Sequence, residues 1–259
     1  MTPSPLQTIV QLTDCHLFAD PDGSLGDIAT RPRFRLVLED IRRRAPDFDF
    51  LVVTGDTAHD EQSATYEAFR DELGDWVERL RIVPGNHDDR EALTRVFPRG
   101  CRPLADRIGF LVETEGWVVI GLDSQLSGET PGELGAEQCA WLRARLERQP
   151  RLDTLLFVHH PPIPVGSPWL DEIGLRDAGE LDSLLAAHPQ VRAVVSGHVH
   201  QEASGTIGGA TVHTTPAVAP QFRPHTTTLE IAAGPPAYRI VELRPAGAWS
   251  TIVVHCTEV

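Results

Sequence analysis

Five short apolar runs, each closed by a turn and then by aspartate, asparagine or histidine, constrain this chain more than any other feature. The runs are "LQTIVQLT" (6–13), "FLVVTG" (50–55), "RIVPG" (81–85), "TLLFVHH" (154–160) and "AVVSGH" (193–198). Runs of this length, rich in β-branched residues and ended by turn formers, predict buried strands. Between them, residues 33–45, 62–77, 135–149 and 177–188 carry helix-like spacing, and Asp89 stands where it would cap a short helix running through Val96. Strands alternating with helices predict an α/β fold with a largely parallel sheet and helical crossovers.

The last 60 or so residues depart from that rhythm. "SGTIGGATVHTTP" predicts a hairpin turning at Gly208 and Gly209, and "TTTLEIA", "AYRIVELR" and "STIVVHC" predict further antiparallel strands. "GFLVETEGWVVIGLDS" (109–124) predicts another hairpin. Two mixed sheets packed face to face, with helices outside, accommodate both halves. No repeat, low-complexity tract or linker divides the chain, so one domain over residues 1–259 is expected, its C-terminal strands (about 203–259) completing the sheets.

The five predicted parallel strands lead, in order, into "TDCH", "GDT", "GNHDD", "HHPP" and "GHVH". In open α/β sheets the carboxyl ends of strands form the edge at which ligands bind. Asp14, His16, Asp56, Asn86, His87, His159, His198 and His200 would all reach that edge. If "GHVH" is extended, His198 and His200 point to the same side. A lone H-x-H is more often a polar strand end than a ligand pair; five such ends in series are not explained that way. Imidazole and carboxylate without thiolate suit Mn, Fe, Zn, Co or Ni rather than an all-oxygen calcium cage. The donors are too many for one ion and suit two, which in hydrolytic sites lie about 3.5–4 Å apart. Gly55, Gly85 and Gly197 would let the backbone turn sharply before the ligands.

Composition excludes several alternatives. The 259 residues are 41% hydrophobic and 23% charged, as in soluble globular proteins. No apolar run approaches the roughly 20 residues that span a bilayer, and "MTPSPLQTIVQLTD" does not read as a secretory signal, so a cytoplasmic protein is expected. The four cysteines are scattered without a C-x-x-C pair, against a disulfide framework or zinc ribbon. A formal charge of −14 disfavours a nucleic-acid polymer or an anionic membrane as partner, although bound cations would make the site itself locally positive.

The ordered set D-x-H, G-D, G-N-H-[DE], H and G-H-x-H, over residues 12–200, resembles the calcineurin-like metallophosphoesterases. The resemblance implies a four-layer αββα sandwich with two central sheets. It implies that Asp14, His16, Asp56 and His200 bind one metal ion and that Asp56, Asn86, His159 and His198 bind the other, Asp56 bridging. Fe, Mn or Zn are the expected ions. It further implies attack by a hydroxide whose pKa the ions have lowered, with His87 protonating the departing oxygen. Asp88 or Asp60 would orient His87. His160 either satisfies a backbone carbonyl or supports the ligands from behind, and His188, His213 and His255 read as ordinary surface or strand residues. Cys15, between two ligands, reads as an apolar filler.

Protein phosphatases of that superfamily carry an arginine in G-D-x-x-D-R-G, whereas this chain has "GDTAHDEQ", and "GNHD" in place of "GNHE". Both departures favour a phosphodiester over a phosphomonoester. Residues 161–185, "GHVHQEASG" (197–205) and "TPAVAPQFRPH" (215–225) are similar to the bacterial class III 3′,5′-cyclic-AMP phosphodiesterases. That narrower resemblance implies cleavage of the 3′ P–O bond of a cyclic nucleotide to give 5′-AMP. The segment from Ser167 to Asp171 and "QFRPH" would line the mouth, with Trp169 either stacking on a base or packing on the sandwich. Arg223 or His225 would approach phosphate or ribose, beside Asn86 and His87. A phosphodiesterase of other specificity (glycerophosphodiesters, 2′,3′-cyclic nucleotides) is the main alternative. A nuclease lacks a basic groove here, and a non-catalytic scaffold has no use for a full ligand set. Strands after residue 205 leave room for a homodimer.

Overall fold

Alternation along each strand decides the layering. In Gln7–Leu12, Ile9 packs into the cluster between the sheets, while Val10 and Leu12 join Phe34, Val37 and Ile41 of the helix Thr30–Arg44. Val52 of Phe50–Thr54 likewise faces the other sheet, and Leu51 and Val53 face the helices. In Asp153–Val158 the split repeats: Leu155 and Phe157 point between the sheets, Leu156 and Val158 toward Ala136–Arg148 and Ala178–Ala186. Strands buried on both faces need apolar residues at every position, which is why they read as continuous runs. The computed structural model describes residues 6–257 apart from Glu115 and Ala233.

Three apolar clusters therefore separate four layers, helix–sheet–sheet–helix, as the α/β sandwich requires. The five-stranded sheet has the order Trp249–His255, Ala237–Leu243, Gln7–Leu12, Phe50–Thr54, Leu80–Val83. Its last three members are parallel and the C-terminal pair antiparallel. The seven-stranded sheet runs Ala203–Ile207, Ala210–Thr214, Val191–Ser196, Asp153–Val158, Trp117–Leu122, Arg107–Glu113, Arg102–Leu104.

The five strands that lead into the candidate ligands are thus divided, three in one sheet and two in the other, rather than forming one continuous edge. The Gly208–Gly209 hairpin forms as expected, with φ of +54° and +90°, but Ala210–Thr214 also lies parallel to Val191–Ser196. "TTTLEIA" yields only Ile231–Ala232, paired with Gln221–Phe222 in a small ribbon away from both sheets. Asp89 caps Arg90–Val96, its side chain accepting from Ala92 N at 2.6 Å. No helix among the described residues is long and apolar enough to cross a membrane.

Candidate active site

The strands stop short of the polar residues. Val191–Ser196 ends before His198 and His200, so the two histidines are not neighbours on an extended segment. They are brought in by backbone turns instead. Asp14, His16, Asp56, His198 and His200 all have φ between +43° and +69°, a region costly for side chains other than glycine. Each such residue costs on the order of 1–3 kcal/mol, and strain of this kind collects at functional sites. Of the three glycines expected to turn, only Gly55 has a positive φ (+87°). Gly197 is needed for closeness: a Cβ there would lie 1.8 Å from Thr13 Oγ1 and 2.7 Å from Asp14 Oδ2.

The side chains delivered in this way form two overlapping groups. His16 Nε2 lies 3.2 Å from His200 Nε2 and 3.5 Å from Asp56 Oδ2, and His200 Nε2 lies 3.4 Å from Asp14 Oδ1. On the other side His159 Nε2 is 3.5 Å from Asp56 Oδ2 and 3.2 Å from Asn86 Oδ1, and the His198 ring packs edge-on to His159 at 5.0 Å. Asp56 lies between the groups. His200 and His198 fall into different ones, and all of these histidines and carboxylates are buried.

The outer ring nitrogens are already engaged. His159 Nδ1 lies 2.7 Å from Thr54 O, and His200 Nδ1 lies 2.7 Å from Pro220 O. Carbonyls only accept, so each ring donates from Nδ1 and turns Nε2 inward. Burial opposes a charge on His159, yet the adjacent Asp56 raises its pKa to about 9, so a bound cation would have to displace that second proton. Among the described residues, His198 Nε2 is buried without any hydrogen-bond partner. Burial pushes His16 and His198 down to about 3, keeping them neutral, as a coordinating imidazole must be. Burial opposes the charge on Asp56, yet His159 and His16 hold its pKa well below the usual carboxylate range. Inward lone pairs, an orphaned imidazole nitrogen and ionised carboxylates fit a bound pair of transition-metal ions.

Other histidines have different work. Both nitrogens of His160 are occupied, Nδ1 with Ser124 Oγ at 2.7 Å and Nε2 with Thr130 O at 2.9 Å, so it buttresses His159 and His198. His188 caps the end of its helix through Leu184 O. Cys15 packs in the apolar cluster, and burial drives its thiol pKa up.

The neighbours of His87 are not the expected carboxylates. Asp88 is fully engaged by the backbone N–H of Gly85, Thr57 and Ala58 and by Tyr66 Oη, and Asp60 by Ala19 N and Thr65 Oγ1. The His87 ring stacks instead on His59 (4.7 Å between centroids, 25°) and meets His16 edge-on at 5.1 Å. Sequence reasoning passed over His59. Its position three residues after Asp56 was the only available signal.

A match to the model of the calcineurin-like phosphoesterase family extends over residues 7–202. The chain belongs to the calcineurin-like phosphoesterase family. Within it, the chain is 38% identical to the 3′,5′-cyclic adenosine monophosphate phosphodiesterase CpdA of Escherichia coli K12, over 95% of this chain and 88% of that one. It is 33% identical to the CpdA of Pseudomonas aeruginosa, over 97% and 90% respectively. A dimetal phosphatase from Danio rerio superposes with a TM-score of 0.65 at 17% identity, covering 98% of this chain and all of that one, a likeness of fold.

Above the polar floor, this family member opens into a cleft of about 690 Å³ including its mouth. Trp169 lines it and packs edge-on to Phe222 at 5.3 Å, and Phe222 in turn stacks flat on His200 at 3.9 Å. Arg223 and His225 are not among the described residues lining the cleft. Arg223 pairs with Glu230 at 2.9 Å, and His225 N donates to Ser167 Oγ at 2.9 Å, holding two mouth segments together.

Proposed function

We propose that the chain is a metal-dependent phosphodiesterase that hydrolyses 3′,5′-cyclic AMP to 5′-AMP. What carries this is one arrangement: an inward-facing floor of imidazole and carboxylate donors lies beneath an open, apolar-walled cleft. Identity of 31–38% to proteins named as cyclic-nucleotide phosphodiesterases supports the substrate class. Asp14, His16, Asp56 and His200 would hold one ion, and Asp56, Asn86, His159 and His198 the other. The donor set is compatible with Fe, Mn or Zn.

A pair of such ions supplies Lewis-acid charge for the phosphate oxygens and acidifies water to a nucleophile. The protein's own contribution is orientation and proton delivery. With its Oδ1 turned toward His159 Nε2 at 3.2 Å, as the other donors of the floor are turned, Asn86 would keep its amide N–H groups available to the phosphate. His87 lines the cleft and donates a proton to O3′ as the P–O3′ bond breaks and a new P–O bond forms to the water oxygen. Its backbone N–H, bonded to Asp56 Oδ1 at 2.9 Å, ties it to the carboxylate shared by the two donor groups. Without an arginine clamp the floor suits the single negative charge of a diester.

A single domain acting in the cytoplasm on a small cyclic nucleotide, without a nucleic-acid polymer or a membrane as partner, completes the proposal. Pairing of two copies would use the edge strand Trp249–His255, where Ile252 is 61% exposed; a monomer in sedimentation velocity would reject it. The deciding experiment compares kcat/KM of metal-loaded protein on 3′,5′-cyclic AMP, 2′,3′-cyclic AMP, glycerophosphocholine and bis(p-nitrophenyl) phosphate, with Asn86→Ala as control. Preference for 3′,5′-cyclic AMP giving 5′-AMP, lost in the variant, is expected. Turnover of the nitrophenyl diester with negligible cyclic AMP hydrolysis would reject the substrate.

A further inference from the structure

Three short excursions from the sandwich wall the cleft: the ribbon Ser24–Leu25 with Ile28–Ala29, the helix Pro168–Asp171, and the ribbon Gln221–Phe222 with Ile231–Ala232. They contribute Leu25, Trp169, Phe222, Leu229 and Ile231, joined by Ile173. Leu229 (57%) and Ile231 (38%) are two of only four large hydrophobic residues exposed among the described residues. The ribbons meet across the mouth, where a Cβ on Gly26 would lie 2.9 Å from Ile231 Cδ1. Apolar side chains left uncovered around a polar floor mark a surface completed by a ligand.

Among the described residues, the side chains of the wall offer little to hydrogen-bond with. Trp169 Nε1 already donates to Thr226 Oγ1 at 3.3 Å. His59 belongs to the floor, bonded to His16 and stacked on His87. Among the described lining residues that leaves Thr130 as the one polar side chain above the floor. A threonine hydroxyl donates or accepts by rotating, so it satisfies an adenine amino group and a guanine carbonyl equally.

We propose that the cleft recognises a nucleobase by its faces and not by its edge, so that cyclic AMP and cyclic GMP are accepted alike. This rests on the cyclic-nucleotide function proposed above. A site built to hydrogen-bond one group rejects its lack by about 10⁴–10⁵-fold, whereas apolar contact discriminates by about 10–200-fold. An open mouth, leaving the base edge in water, puts the ratio toward the lower end.

The test has a catalytic and a binding arm on the metal-loaded protein. The expected kcat/KM values for cyclic AMP and cyclic GMP lie within about ten-fold of each other, and a ratio beyond about a hundred-fold overturns the inference. Trp169→Ala should lower both by roughly ten-fold or more, with Trp169→Phe recovering most of the loss, while the ratio between nucleotides stays within about three-fold. Leu229→Ser, on an exposed ribbon, repeats the test more gently should Trp169→Ala fold poorly. A ratio moved ten-fold by either variant would mean that the edge is read. Calorimetric binding of 5′-AMP and 5′-GMP separates the two proposals. Comparable affinities without cyclic-nucleotide hydrolysis would reject the function and leave face recognition standing. Binding of only one nucleotide, or of neither, would reject face recognition.

Discussion

His59 Nδ1 lies 3.1 Å from His16 Nδ1, the only hydrogen-bond partner that this buried ring nitrogen has among the described residues. For His16 to coordinate through Nε2 its proton must sit on Nδ1, and His59 is there to accept it. His59 thereby does for His16 what Thr54 O and Pro220 O do for His159 and His200. Partners behind metal-binding histidines are worth about 10–100-fold in metal affinity. His59→Ala should weaken metal binding by that factor in competition with a chelating dye, and His59→Asn, which keeps an acceptor, should lose less. Equal affinity in wild type and His59→Ala would show that His16 needs no such partner.

On the proposed mechanism, His87→Ala would remove proton delivery to the leaving oxygen while sparing the donor floor. General acid catalysis contributes about 10²–10⁴-fold, and more when the leaving group is a poor one. Ribose O3′ leaves as a basic alkoxide and a nitrophenolate does not. The variant should therefore lose about 10²-fold or more in kcat on cyclic AMP and much less on bis(p-nitrophenyl) phosphate. Equal losses on both would assign His87 to phosphate binding instead.

The glycines of the turns make a sharper structural prediction. Gly85 has no positive φ, yet a Cβ there would lie 2.1 Å from Asp56 Oδ1, and one on Gly197 would lie 1.8 Å from Thr13 Oγ1. Thr13 holds Asp14 through a 2.6 Å hydrogen bond, so either alanine displaces a carboxylate of the floor. Overpacking in a tight interior costs about 1–3 kcal/mol. Gly85→Ala and Gly197→Ala should each lower Tm by several degrees and reduce metal stoichiometry, whereas Gly128→Ala, with nothing within 4 Å, should spare the metal. Full metal loading in the first two would refute the close-packing account.

These particulars also mark what was legible beforehand. Strands buried on both faces announce themselves as apolar runs, and each ligand-type residue sits next to a turn, so the sandwich and its polar floor could be read from "TDCH" to "GHVH". The division of those strands between two sheets could not, because pairing depends on which helices cross over which face. Convergence of His198 and His200 was expected from an extended backbone and arises from left-handed turns, a conformation that residue type alone does not announce. Arg223 and His225 were expected near phosphate or ribose from the resemblance of "QFRPH"; Glu230, which pairs with Arg223, and Ser167, which accepts from the backbone N–H of His225, are close only once the mouth has folded. His59 was missed because a single histidine three residues after Asp56 is a weak signal beside the paired motifs.

Away from the site, Asp40 links the helix Thr30–Arg44 to the C-terminal strand pair. Its carboxylate is 1% exposed, accepts from Tyr238 Oη at 3.0 Å, and is met by Arg43 and Arg44 at 2.6 and 2.9 Å. Burial alone would raise its pKa, but these hydrogen bonds outweigh burial and hold it below the usual value. A depressed carboxylate pKa stabilises the fold at pH values above the unfolded pKa of about 3.9, and that contribution is lost as pH falls through the folded value. Both arginine arms are more than half exposed, so solvent screens their share and keeps the contribution modest. Asp40→Asn should therefore unfold more easily by about 1–2 kcal/mol near neutral pH. Urea titrations should show the same gap at pH 7 and pH 5, narrowing below about pH 4 as wild-type Asp40 takes up its proton. A gap that does not change with pH would mean that shape, rather than charge, makes the aspartate necessary.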